Sequence, residues 1–187
     1  MSDSSGQEVP LLVIGYGDKR KADNSAGRHI AEAIKQKSLK SIQALSVYHL
    51  SSSLASRVAQ AKTVIFIGSY LLLDEMNPEI IIKHFLPNYE QPEIGISYPN
   101  PPYSLLSFIK RVYGKSLDAY WILVPAVNDQ PDQDISYLTQ QAIRSTLEYL
   151  TGDSYQQIFS SKGHQQSKVC PKPYSELQVS SNCNPIR

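Results

Sequence analysis

The stretch 11–34, LLVIGYGDKRKADNSAGRHIAEAI, narrows the choice of folds more than any other part of the chain. Leu11 to Ile14 are apolar without alternation, as in a parallel strand covered on both faces. Gly15-Tyr16-Gly17 then turns the chain. A helical pattern follows, in which Ala26, Ile30, Ala33 and Ile34 share one stripe. Asp23, Asn24 and Ser25 are residue types that cap helices, so a helix is predicted from about Ala26 to Lys37. Strand, glycine turn and helix together open a βαβ unit. In open α/β sheets, ligands bind beyond the carboxyl ends of the strands, so the loop from Gly17 to Gly27 is the first place to look for a site.

The same alternation continues. Ile42 to Tyr48 reads as a second strand. Ser51, Ser52 and Ser53 precede a short helix with Leu54, Val58 and Ala61 on its face. Thr63 to Ile67 is a third strand, apolar throughout and central, which Gly68-Ser69 is expected to end; Leu71 to Leu73 suits a helical turn. Glu79 to Phe85 is a fourth strand, at an edge. Prolines 87, 92, 99, 101 and 102 make 87–103 mostly loop. A helix should begin around Pro102, bury Leu105, Ile109, Val112 and Tyr113, and stop at Gly114. Ala119 to Val127 is a fifth strand, where Pro125 argues for an open edge or departure from the ladder. A polar loop, NDQPDQD, follows. Ser136 can cap a last helix that buries Leu138, Ala142, Ile143, Leu147 and Leu150. Strands alternating with helices imply an α/β domain: a three-layer sandwich with a mainly parallel five-stranded sheet, phosphorylase/hydrolase-like in type. It should span residues 10–150, between a disordered lead-in at 1–9 and a tail at 151–187 that loses periodicity and reads as disordered.

Several function classes are excluded early. With a formal net charge of +1, no nucleic-acid footprint or polybasic membrane patch is indicated. No apolar run is long enough to span a bilayer, and MSDSSGQEVP lacks the layout of a signal peptide, so the expected location is the cytoplasm. Cys170, Cys183 and His164 do not make a zinc pattern. The G-x-G-x-x-G fingerprint fails because Arg20 takes the third glycine's place, and no G-x-S-x-G or G-x-x-x-x-G-K is present.

The glycine turn GYG, the loop Asp23-Asn24-Ser25-Ala26-Gly27, YHLSSSLASRVAQAKTVIFIGS (48–69), SLLSFIKRVYG (104–114), AYWILVPAVN (119–128) and the helix at 136–150 follow one another in a characteristic order. In that order and spacing the chain resembles the hydrogenase maturation endopeptidases, in particular the cyanobacterial ones. The resemblance implies a protease that clips a C-terminal extension from the large subunit of a nickel–iron hydrogenase. It also implies a site of a Glu or Asp, an Asp and a His at the carboxyl side of the sheet, able to hold a divalent ion. In such a family the nickel comes with the substrate. This sequence departs at all three positions: the first acid falls on Asn24, the aspartate on Gly68 and the histidine near Tyr98. A neutral amide, a bare glycine and a protonated phenol hold such an ion poorly. The expectation is therefore no resident cofactor, loss of metal-dependent cleavage, and a cleft that keeps a protein or peptide partner, a hydrogenase large subunit being the candidate. The alternative is a working nickel-dependent endopeptidase with replacement ligands.

Asp23 and His49 are the residues that could serve as such ligands. A capping or dipole role for Asp23, and simple solvation for His49, are the bland readings. Asp74 and Glu75 follow the third strand, but adjacent acids point apart on regular structure. Gly15, Gly17, Ser69 and Tyr103 are placed on the cleft or partner surface, in loops 17–25, 49–53, 68–75 and 98–103. The run Lys19-Arg20-Lys21 could meet an acidic partner there, though such runs are usually solvated. His29 and His84 have no visible partner, and Tyr113 and Tyr120 read as core.

Overall fold

The computed structural model describes residues 9–39, 41–73, 77–85 and 101–152. Nine elements follow in order: β1 (Val9–Tyr16), α1 (Ala26–Gln36), β2 (Ile42–Val47), α2 (Ala55–Val58), β3 (Ala61–Leu71), β4 (Ile81–Phe85), α3 (Pro101–Tyr113), β5 (Asp118–Ala126) and α4 (Tyr137–Thr151). Short 3-10 turns lead into α1 and α2. The strands form one sheet in the order β2-β1-β3-β5-β4. The first four are mutually parallel, and β4 runs antiparallel to β5 at one edge.

Side chains alternate across this sheet and feed two separate cores. Leu12, Ile14, Val64, Phe66, Trp121 and Leu123 pack under α2 and α3, with Ala55, Val58, Leu105, Leu106 and Ile109. Leu11, Val13, Ile65, Ile67, Ile122 and Val124 pack under α1 and α4, with Ile30, Ile34, Ala142 and Leu150. The architecture is thus the α/β sandwich with helices on both faces and a mainly parallel five-stranded sheet. The unbroken apolar runs of β1, β3 and β5 are explained by this double coverage.

Several boundaries differ from the sequence reading. Gly68 and Ser69 do not end β3; they pair with Leu123 and Val124 inside it, and the strand continues to Leu71, so no helical turn forms at 71–73. Ala61 opens β3 instead of closing the preceding helix. β1 starts at Val9. Val112 and Tyr113 are exposed, while Leu106 takes the buried place on α3; Gly114 does stop the helix, at a φ of +64°. On α4 the fully enclosed positions are Thr139, Ala142, Thr146 and Leu150. Ile143 and Leu147 pack beside them only partly buried. The two threonines tolerate enclosure because their hydroxyls are satisfied internally: Thr139 on the Pro125 carbonyl at 2.8 Å and Thr146 on that of Ala142 at 2.8 Å. Pro125 lies in a strand that is interior to the sheet, yet β4 reaches only from Ala119 to Leu123. At Pro125 only the β3 side is paired, with Tyr70 opposite, so one side of the ladder is open where the proline sits.

Candidate functional site

Four parallel strands deliver Tyr16, Val47, Leu71 and Ala126 to one edge, where α1, α3 and α4 begin. The first loop is closed by local geometry. Gly17 has a φ of +146°, and a β-carbon there would overlap the Asn24 carbonyl, so only glycine fits. Its N–H donates to the Tyr48 carbonyl at 3.2 Å. The Asn24 side-chain oxygen accepts from the Asp18 N–H at 2.8 Å, which ties both ends of the loop together. Gly15 and Gly27 let α1 sit directly on β1; a β-carbon at Gly15 would overlap the Gly27 carbonyl.

Asp23 is fully buried, and it does not cap α1, whose N-cap Ser25 makes no side-chain capping bond either. Its carboxylate turns across to the segment between β5 and α4. Oδ2 accepts from the Val127 and Asn128 N–H groups, each at 2.9 Å, and from the Ser136 hydroxyl at 2.7 Å; Oδ1 accepts from the Ser136 N–H at 2.7 Å. Burial pushes the carboxyl pKa up, but the bonds from Ser136, Val127 and Asn128 outweigh it and leave the pKa below the usual value. The backbone adds to this zip. Asp23 N–H donates to Asn128, Ala22 N–H to Gln130, and Asp132 N–H to the Arg20 carbonyl, while Lys21 bridges Pro131.

Tyr16 lies across Gly68. A β-carbon on Gly68 would come within 2.6 Å of both Cζ and the hydroxyl oxygen of Tyr16. The phenol oxygen accepts from the Trp121 indole N–H at 2.8 Å, and its desolvation raises its pKa well above that of a free tyrosine. This phenol therefore stays protonated at neutral pH. Tyr16, Leu50, Leu54, Tyr70, Ile81 and Tyr103 form the partly exposed rim of the α2/α3 core at this edge. Tyr70 ties the excursion after β3 back, its hydroxyl donating to the Glu79 carbonyl at 2.8 Å.

The remaining expected site residues are scattered. His49 is exposed, edge-on to Tyr48 with ring centroids 5.6 Å apart. Ser69 is partly buried in β3. Tyr98, Asp74 and Glu75 lie outside the described residues, as do the lead-in 1–8 and the tail from 153 onward. The basic run is paired within the chain: Lys19 with Glu32 at 2.7 Å, Arg20 with Asp18 at 3.2 Å, Lys21 with Asp129 at 3.9 Å. His84 does have a partner, Asp118 at 2.7 Å, and stacks on Tyr120, at the opposite edge of the sheet. Among the described residues no three of His, Cys, Asp or Glu are placed to share a metal ion. Tyr16, Trp121, Ser136 and the loop 127–136 are not among the expected site residues, although Ser136 is the helix cap that the sequence predicts. A glycine inside an apolar strand does signal close approach of another group, so Gly68 was the available clue to Tyr16.

No protein-family model and no curated protein sequence matches the chain. Solved structures do. The [NiFe] hydrogenase maturation protease HycI from Thermococcus kodakarensis KOD1 aligns over 78% of this chain and 92% of its own, with a TM-score of 0.60 and 18% identity. The hydrogenase maturating endopeptidase HybD from E. coli aligns over 75% and 89%, with a TM-score of 0.58 and 17% identity. The endopeptidase HycI from Escherichia coli gives 75% and 88%, 0.59 and 12%. In the arrangement of its sheet and helices, this chain has the fold of the hydrogenase maturation proteases.

Proposed function

We infer that the chain is a divergent hydrogenase maturation protease-like protein that no longer holds an ion and uses the carboxyl edge of its sheet to bind a protein or peptide in the cytoplasm. The observation that carries this reading is Tyr16 over Gly68. By resemblance, position 68 is where the family places an aspartate ligand. Here there is neither a donor nor room for one while the phenol stays. At Asn24 the only donor is a neutral amide oxygen, and Asp18 already uses it. Asp23 next to it accepts four bonds from the β5–α4 segment, which an ion would have to displace. The third position, Tyr98, lies outside the described residues. This donor set does not fit a divalent ion, so no cleavage step is derived through one.

Support for a binding role comes from exposed apolar groups at the same edge. Tyr48, Leu71, Leu73, Val127 and Tyr137 all flank the strand ends there with their side chains in solvent. Apolar groups gathered around one edge mark a contact surface. The fold relation makes a hydrogenase large subunit the first partner to try. Calorimetric titration with nickel should show no stoichiometric binding, and a nickel-loaded large-subunit precursor should stay full length on incubation while co-migrating with the protein. Tight one-to-one nickel uptake, lost on Asp23→Ala or His49→Ala and accompanied by a shortened precursor, would instead establish a working endopeptidase.

A further inference from the structure

The two helical layers of the sandwich carry their charges differently. On α1 and α4 the signs are mixed, with Arg28, Glu32 and Lys35 on one helix and Arg144 and Glu148 on the other. The α2/α3 layer has one sign. Residues 50–62 and 101–117 contain Arg57, Lys62, Lys110, Arg111 and Lys115 and no aspartate or glutamate. Arg57, Lys62, Arg111 and Lys115 are exposed, and none of these four makes an ion pair among the described residues. The run Lys19-Arg20-Lys21 at the carboxyl edge, by contrast, is neutralised within the chain.

The fold gathers these cations in one place. α2 and α3 both end at the amino edge of the sheet, because each leads into one of the parallel strands β3 and β5. The Lys115 ammonium donates to the Ala59 carbonyl at 2.9 Å, which ties the end of α3 to the end of α2. Thr63 pairs with Asp118, so Lys62 and Leu117 enter the sheet side by side. Asp118 itself is engaged by His84 at 2.7 Å. At the same end, the apolar stripe of α3 outruns the core. Val112 and Tyr113 continue the line of Leu105 and Ile109 at helical spacing, yet both are exposed, as is Phe108 one turn before Val112. The attraction of a helix's carboxyl end for cations accounts for Arg57 and Arg111. It does not account for Lys62 and Lys115, which stand outside the helices, or for the three exposed apolar side chains.

We propose that this end of the α2/α3 layer is a second docking surface, for a short acidic segment of another protein. Its apolar side chains would cover Phe108, Val112 and Tyr113, and its carboxylates would meet Arg57, Lys62, Arg111 and Lys115. A short segment suits the charge distribution better than an extended polyanion does. With a net charge of +1, the chain as a whole attracts a membrane or a nucleic acid only weakly. At physiological salt a charge is felt over about 8 Å, so a segment seated on the patch senses the cations and not the acids elsewhere. The surface lies at the opposite end of the strands from the carboxyl-edge site and does not rest on the reading of that site.

Amide NMR of the full-length protein tests this, with a synthetic peptide of repeated Glu-Glu-Leu-Phe as the probe. Shifts should be confined to 55–62 and 108–118 and should shrink as salt is added. The double variant Arg57→Gln with Arg111→Gln, and Val112→Ser alone, change exposed side chains; each should leave the rest of the spectrum in place and weaken binding roughly fivefold or more. The same peptide with Gln in place of Glu should bind weakly. Absence of shifts, shifts centred on the carboxyl edge, or equal affinity in the variants would overturn the proposal. So would tighter binding of phosphatidylserine vesicles or of a single-stranded oligonucleotide at the same residues, since the surface would then belong to a polyanion. Shifts of 108–118 that depend on protein concentration without peptide would assign it to a second copy of this chain and would overturn the proposal as well.

Discussion

Two side chains decide the character of the carboxyl edge. Asp23 is buried, charged and fully bonded, and removing it strands the Val127, Asn128 and Ser136 donors. Asp23→Ala should therefore cost about 2–4 kcal/mol, read as a lower urea midpoint at pH 7. Its pH dependence has a definite sign. The folded pKa lies below the unfolded one, so the contribution is complete above the unfolded value near ~4 and is lost as pH falls through the folded value. Urea midpoints of the native protein should drop between about pH 5 and pH 2 more steeply than those of Asp23→Asn. Tyr16 and Gly68 form the second pair. Gly68→Asp alone drives a β-carbon into the phenol ring and should destabilise by about 1–3 kcal/mol. In a Tyr16→Val background that clash is gone, so a double-mutant cycle should show coupling of at least about 1 kcal/mol. A strictly additive cycle would mean that the ring does not occupy the space over Gly68.

At the scale of elements, α4 is joined to the first loop through its cap. Ser136 accepts from the Thr139 N–H at 3.3 Å and donates to Asp23, so one hydroxyl starts the helix and anchors it. Ser136→Ala should cost about 1–2 kcal/mol and speed amide exchange in the first turn of α4 before any other helix. How far the elements were legible follows from the kind of signal each carries. Strands β1, β3 and β5 stand out as apolar runs, and α1 as a stripe, because coverage on two faces or one leaves a periodic record. Ser136 is a cap in sequence and in structure. The misread positions are those where a long-range partner overrides local type. Asp23 is a good capping residue by chemistry, but donors more than a hundred residues away take its carboxylate. Gly68 looks like a strand end, since nothing local says that Tyr16 needs the space. His84 looks solitary until the antiparallel turn of β4 brings Asp118 to it.

The whole molecule is a sheet with two cores that share no side chain. Leu106 belongs to one and Ile30 to the other. Leu106→Ala and Ile30→Ala should each cost about 2–5 kcal/mol, and their double mutant should equal the sum within about 0.5 kcal/mol in denaturant unfolding. The reading of Asn24 and Gly68 as substituted ligand positions rests on the likeness to a family, whereas the phenol of Tyr16 over Gly68 needed the fold. One practical consequence follows from the pairing of residues 20–23 with 128–132. By composition, NDQPDQD is an inviting place to splice in an epitope or a fluorescent reporter. Its backbone is nonetheless hydrogen-bonded to the segment that launches α1, so cargo placed there would pry open the start of the domain. The exposed turn at Gly114, where a β-carbon would meet nothing within 4 Å, is the better port for labelling.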